Sequence, residues 1–163
     1  MAVRQIRIMG DEILTKKCKP VKAMNDRTME LIEDMFETMY QANGCGLAAP
    51  QVGILRRCVI VVDSQEQMLE LVNPEIIWRS EEIQDGWEGC LSVPGKWGTV
   101  ERPMKVRVKA QDRNGNWFEA EGEAIVARCF CHELDHLEGH IFTELTDRLY
   151  TQKELDEMYE EED

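Results

Sequence analysis

No apolar run in this 163-residue chain approaches the ~18 residues that a membrane-spanning helix needs. The opening residues, Met1-Ala2-Val3-Arg4-Gln5-Ile6, carry no apolar stretch of the kind that marks a secretory signal, so neither a signal peptide nor membrane association is expected. The six cysteines (Cys18, Cys45, Cys58, Cys90, Cys129 and Cys131) include no C-x-x-C pair. A disulfide framework is therefore not expected, and a reducing cytoplasm fits the composition better. Cations are scarce: 19 Lys and Arg stand against 32 Asp and Glu, a net charge of −13. That balance argues against direct DNA binding and fits a protein that handles small or peptide substrates. No repeat, linker or low-complexity segment divides the chain. One catalytic domain over residues 1–163 is expected, with the tail from about 151 as a short peripheral helix.

Histidine is scarce, with three residues in all, and two of them share one motif. The stretch Cys129-Phe130-Cys131-His132-Glu133-Leu134-Asp135-His136 contains H-E-x-x-H. Residues four apart on an α-helix share a face, so His132 and His136 can chelate one ion. Glu133 stands beside the first histidine, where its carboxylate can act on a nearby water.

The rest of the chain reads as an amphipathic helix, a run of strands and a last short helix. Apolar Leu31, Ile32, Met35, Phe36, Met39 and Tyr40 recur at helical spacing over 26–42, with acids and Thr38 opposite. Asn25 or Asp26 can cap that helix and Asn43-Gly44 can stop it. The Gly44-to-Gln51 segment reads as a tight turn followed by a strand, and its spacing matches neither a P-loop nor a dinucleotide fingerprint. Cys58-Val59-Ile60-Val61-Val62 is a buried strand by its β-branched content. Residues 68–77 extend again, with an interruption expected at Asn73-Pro74. The Gly86-to-Gly95 segment reads as a loop from its glycines and prolines. Val106, Val108 and Ala110 alternate with Lys105, Arg107 and Lys109, and Asn114-Gly115 is a hairpin turn leading to Trp117-Phe118-Glu119-Ala120. The metal helix is expected over 123–138, with Ile125, Cys129, His132 and His136 on one face and Gly139 as its stop. Thr151-x-x-Glu154 is a capping box for a last helix carrying Leu155, Met158 and Tyr159 on one side. A frayed, solvated end is expected over 160–163.

Two histidines leave a metal one protein ligand short. The metzincin extension would need a histidine where Phe142 stands, and His140 is out of register. A downstream carboxylate from Glu144, Glu154 or Glu157 is one alternative. The thiolate of Cys90, in a glycine-flanked stretch, is the other.

Three blocks taken together resemble the bacterial-type peptide deformylases: Gly44-Cys45-Gly46-Leu47-Ala48-Ala49-Pro50-Gln51, then Glu88-Gly89-Cys90-Leu91-Ser92, then His132-Glu133-Leu134-Asp135-His136. The resemblance runs from the N-terminal arm to about Leu149. It implies an α+β fold, with antiparallel β-sheets packed around a central metal-bearing α-helix, an N-terminal amphipathic helix and a short C-terminal helix. It implies that Cys90, His132 and His136 hold one divalent metal, Fe(II) in the cell, with Zn, Ni or Co in a purified sample. It implies Glu133 as proton carrier, Gln51 and the Leu91 N–H as oxyanion donors, and Cys45, Gly46 and Gly89 as substrate-binding residues. The implied substrates are N-formyl-methionyl peptides in a bacterial cytoplasm, and the implied products are formate and a free amino terminus. A thiolate ligand would make the Fe(II) form sensitive to oxygen.

Departures from the family pattern carry their own expectations. Arg128 stands where relatives have an apolar residue near the methionine pocket, and is expected to snorkel outward. Gly86 replaces a bulkier apolar residue. Trp97 lies where some relatives carry a basic group, Cys131 has no assigned role, and Glu88 and Asp135 are candidates to support the histidines. Some relatives dock on the ribosome through a basic C-terminal helix. Here Asp156, Glu157 and the 160–163 acids would repel rRNA phosphates, so at most a weak ribosome association is expected.

Overall fold

The structure, a computed structural model, describes residues 2–162, with side chains described through Glu160. Its elements in chain order are α1 (Asp26–Gln41), β1 (Gly46–Ala48), β2 (Cys58–Val62), β3 (Met68–Arg79), β4 (Ile83–Cys90), β5 (Val93–Pro103), β6 (Lys105–Gln111), β7 (Trp117–Glu123), α2 (Ile125–Leu137), β8 (Tyr150–Thr151) and α3 (Gln152–Glu162). Two sheets form, one in the order β1-β2-β3-β6-β7 and the other β4-β5-β8, and every pairing in them is antiparallel. The α+β architecture matches the expected one, with α2 at the centre.

α2 packs Val126, Ala127, Phe130, Leu134 and Leu137 onto Val59, Val61, Leu71, Val106, Val108 and Ala110 of the large sheet. Phe130 has no exposed surface, and burying such a side chain contributes about 2–3 kcal/mol. The helix follows β7 with no loop between them. Ala124 turns the chain at φ +56 and ψ −120, and its N–H donates to the Met104 carbonyl. This sharp elbow lays α2 across the sheet and leaves Ile125, the first helical residue, 68% exposed at the rim. The expected common face is thereby corrected. Ile125 is not in the core, and the apolar packing comes from the opposite side of the helix.

α1 starts at Asn25, whose side chain accepts from the Thr28 N–H, and stops at Asn43, which takes φ +58. Its apolar stripe packs on β1 and β2, but Tyr40 is exposed and stacks on Phe36. The polar side of α1 is not solvated throughout. Asp34 and Thr38 are buried because the N-terminal arm lies over them. Asp34 accepts from the Ala2 N–H and the Arg4 guanidinium, and Thr38 Oγ1 accepts from the Arg4 N–H. Burial alone would raise the Asp34 carboxyl, but these donors outweigh it and hold it below its usual value.

Local expectations fare differently. The interruption expected at Asn73-Pro74 is present in β3. The strand continues to Arg79 across a register shift, with Asn73 at φ +51 and its side chain bonded to both backbone groups of Val21. The turn and strand expected in the Gly44-to-Gln51 segment form, but the strand ends at Ala48 and Ala49–Val52 make a short 3₁₀ turn. The glycine-rich 86–95 stretch is not a loop but the turn end of the β4–β5 hairpin, with strand residues on both sides of a turn at Leu91 and Ser92. Its glycines serve close approach more than turning: a Cβ on Gly89 would lie 2.4 Å from the Trp97 ring.

The alternation of β6 holds, with Val106, Val108 and Ala110 buried and Arg107 and Lys109 exposed. The capping box of α3 also forms, since Thr151 and Glu154 bond each other's backbone N–H. Leu155 is buried there, while Met158 and Tyr159 are largely exposed. The expected fraying over 160–163 falls mostly beyond the described side chains, although the helix backbone runs to Glu162.

Candidate metal centre

The β4–β5 hairpin and α2 meet at a cleft of about 390 Å³. Cys90 ends β4, and His132 and His136 lie on successive turns of α2. One ligand atom from each lies within 4.8 Å of the others, although Cys90 and His136 are 46 residues apart. Cys90 Sγ is 3.4 Å from His136 Nε2. A tetrahedral ion with metal–sulfur and metal–nitrogen bonds near 2.3 and 2.0–2.1 Å would space such donors about 3.6 Å apart. The sulfur and two nitrogens therefore fit a divalent cation with an open fourth position. The glutamates left open by the sequence are elsewhere. Glu144 pairs with His140 at the surface, Glu154 is bound to Thr151 and Arg148, and Glu157 is exposed.

The two imidazoles are set differently. Burial holds the His136 ring well below its ordinary value, so it stays neutral with a lone pair to offer. Burial would also lower His132, but hydrogen bonds with Cys90 and Glu88 outweigh it and make this ring strongly basic. His132 Nδ1 is 2.7 Å from Glu88 Oε1, which leaves Nε2 for the site. Glu88 is itself buried. Burial would raise its carboxyl, but His132 and Arg102 hold it down at about 2.

Arg102 was not legible as a site residue. It bonds Glu88 through Nε and Nη2 and reaches Asp135 Oδ2 through Nη1 at 2.8 Å. Its one sequence signal is phase: it follows Gly98 and Val100 on the buried side of β5, an unusual place for arginine. Arg128 corrects another expectation, because it turns inward. Its Nη1 donates to Glu88 Oε2 at 2.7 Å and to the Val100 carbonyl at 2.8 Å. Glu88 draws it in, and Gly86 leaves it room, since a Cβ there would lie 3.0 Å from Arg128 Nη2. Glu88 thus joins both arginines and His132.

Glu133 is fully enclosed, and burial pushes its carboxyl up to about 8. Its Oε1 has no hydrogen-bond partner. Gly46 presses against it, and a Cβ on Gly46 would lie 2.6 Å from Oε2. Gln51 is held by the Ala48 N–H on its oxygen at 2.9 Å. Its Nε2 donates to Ser92 Oγ at 3.1 Å and lies 3.5 Å from Cys90 Sγ. Ser92, fully buried, belongs to one of the family blocks but had no role assigned from the sequence. Leu91, Cys45, Gly46 and Gly89 line the same cleft. Cys131 faces the core, where burial raises its thiol, so it packs as a small apolar residue.

Comparison with known proteins gives a consistent picture. The family model described as "Polypeptide deformylase" matches residues 3–152. A peptide deformylase of Caldicellulosiruptor bescii is 52% identical over 160 residues, covering 96% of this chain and 93% of its own. One from Caldanaerobacter subterraneus subsp. tengcongensis is 51% identical over 160 residues, covering 98% and 99%. The crystal structure of peptide deformylase from Thermotoga maritima superposes with a TM-score of 0.86 at 38% identity, over 91% of this chain and 100% of that one.

Proposed function

The chain belongs to the polypeptide deformylase family, metal-dependent enzymes that remove the N-formyl group from new peptides, and we propose that in it Cys90, His132 and His136 hold the metal while Glu133 carries the proton. The convergence of those three ligand atoms within 4.8 Å, beside an enclosed carboxylate, carries this reading. When bound, the cation supplies Lewis acidity and eases ionisation of water near neutral pH.

The chain's own groups do the rest. The cleft between the β4–β5 hairpin and α2 takes the formylated end of the peptide, with Cys45, Gly46 and Gly89 along its walls. Water adds to the formyl carbon as Glu133 takes its proton at the unpartnered Oε1. The enclosed carboxyl then passes that proton to the amine as it leaves, serving as base and afterwards as acid. Gln51 Nε2 and the Leu91 N–H donate to the developing oxyanion. Ser92 and Ala48 hold the Gln51 amide in place before substrate arrives. Formate and a free amino terminus leave.

We read residues 1–163 as one catalytic domain, because both sheets and α2 contribute to one site. The sulfur-and-nitrogen donor set suits Fe(II), and it also accepts Zn, Ni or Co. No described helix is long and apolar enough to cross a membrane, and a cytoplasmic enzyme acting on nascent chains fits the bacterial relatives.

The assay is formate release from a formyl-methionyl peptide by protein loaded anaerobically with Fe(II), Ni(II) or Zn(II). Release is expected, and Gln51→Ala is expected to lower kcat by about 10²–10³-fold, the typical cost of one oxyanion donor. No release by folded protein that binds any of these metals would sink the proposal.

The acidic α3 is unsuited to docking on rRNA phosphates. Deleting residues 151–163 is therefore expected to leave ribosome cosedimentation at low salt unchanged. Binding that disappears with the deletion would overturn this.

A further inference from the structure

Cys45 and Cys129 are 84 residues apart in sequence, yet their Sγ atoms are 3.0 Å apart. Nonbonded atoms normally rest roughly 3.5–4.0 Å apart. A disulfide spans about 2.04 Å, so roughly 1 Å of closure separates this pair from a bond. All six cysteines are free thiols. Cys18, Cys58 and Cys131 are buried, and Cys90 stands with the imidazoles. Cys45 is exposed to solvent at the cleft, while Cys129 is buried in its wall one turn before Glu133. The pair therefore combines an accessible sulfur with a resolving sulfur already in contact.

We propose that Cys45 and Cys129 form a reversible redox modification site: a peroxide or a small-molecule disulfide oxidant joins them into a disulfide that closes the cleft walls and slows the enzyme. With a peroxide, the Cys45 thiolate attacks one peroxide oxygen. The O–O bond breaks, giving a Cys45 sulfenic acid and water or an alcohol. The Cys129 thiol then attacks the sulfenic sulfur, the S–S bond forms, the S–O bond breaks and water leaves. Two electrons and two protons pass from the thiols to the peroxide. A thiol reductant reverses the change by supplying both. The hydrogen bond between the two sulfurs holds the Cys45 thiol down at about 6 and the Cys129 thiol up. That division of roles suits an attacking and a resolving cysteine. In a reducing compartment such bonds are transient and sensing rather than structural.

The consequence follows from what the two residues adjoin. Cys45 precedes Gly46, whose Cα abuts Glu133, and Cys129 lies one turn before Glu133 on α2. The bond draws together the two segments that position this carboxylate. A displacement of about 1 Å in a positioned site can cost roughly 100-fold.

The activity arm of the test rests on the deformylase reading; the chemical arm does not. Zinc-loaded enzyme is treated with diamide, an azo compound that takes up two electrons and two protons, then alkylated and digested for peptide mapping. A Cys45–Cys129 linked peptide is expected, with kcat/KM for a formyl-methionyl peptide lowered about 10- to 100-fold and restored by dithiothreitol. Cys45→Ala and Cys129→Ala, each compared with its own reduced rate, are expected to resist. Thermal melting checks that both variants fold, and the exposed Cys45 position keeps the test usable if the buried one does not. Free alkylated thiols at both positions, a mapped bond with no change in rate, or variants as sensitive as the wild type would overturn the proposal. A mapped bond in protein that releases no formate even when reduced would support the site and count against the deformylase reading.

Discussion

Replacing Glu133 by alanine lowers formate release from a formyl-methionyl peptide by roughly 10³-fold or more while the metal remains bound. A general acid–base group typically contributes 10²–10⁴-fold, and here one carboxylate serves as both base and acid. No other described carboxylate is placed to substitute, because Glu88 is occupied by Arg102, Arg128 and His132, and Asp135 by Arg102. Metal content measured beside the rate separates this loss from loss of the ion. A variant that retains wild-type rate with full metal would remove Glu133 from the chemistry.

The same residue sets a pH dependence in the metal-stripped protein. Burial raises the Glu133 carboxyl from 4.5 to about 8. A carboxyl raised on folding favours the folded state most below its unfolded value, and that contribution is lost as pH rises through the folded one. Stability should therefore decline between pH 4.5 and about 8, and Glu133→Gln should remove that part of the decline. Denaturant midpoints of the two proteins across this window provide the comparison. Parallel profiles would show that the enclosed carboxyl does not titrate there.

Glu88→Ala is the second large effect. It removes the partner of His132 Nδ1 and leaves Arg102 and Arg128 buried without their shared carboxylate. Breaking a buried ion pair from one side typically costs 3–5 kcal/mol, because the remaining charge stays uncompensated. Loss of the group that orients a ligating histidine typically weakens metal binding by 10–100-fold. A fall in stability of about 3 kcal/mol or more and weaker metal retention against a chelator are both expected. Glu88→Gln should fall between wild type and alanine, since it keeps an acceptor but not the charge. A Glu88→Ala protein with wild-type stability and metal retention would mean that water replaces the carboxylate without loss.

The pair of arginines on Glu88 shows where reading the chain stopped. The sequence located Glu88 near the metal block, but not what it joins. Arg102 approaches it from β5 and Arg128 from α2, and their meeting depends on how the hairpin lies on the helix. The same dependence misled the reading of Gly86 to Gly95. Its glycines look like loop residues, whereas cross-strand pairing makes them strand positions that admit a tryptophan ring and an arginine. Asp34 and Thr38 looked solvated on α1 because the arm that covers them lies some 30 residues away in sequence.

Local geometry was legible without any structure. The four-residue spacing of His132 and His136, the caps of α1 and α3, the alternation of β6 and the Asn114-Gly115 turn depend on bond geometry and on hydrogen bonds between near neighbours. By itself the sequence determined that a helix presents two imidazoles with a glutamate beside them, and the family blocks named the chemistry. Only the tertiary structure brought the Cys90 sulfur, already implied by the resemblance, beside the two imidazoles, turned Arg128 inward, and set Cys45 against Cys129. Those outcomes depend on the register of β4 against β5 and on the angle at which the Ala124 elbow sets α2 across the sheet. Both are fixed by burial of surfaces distant in the chain, which no local pattern encodes.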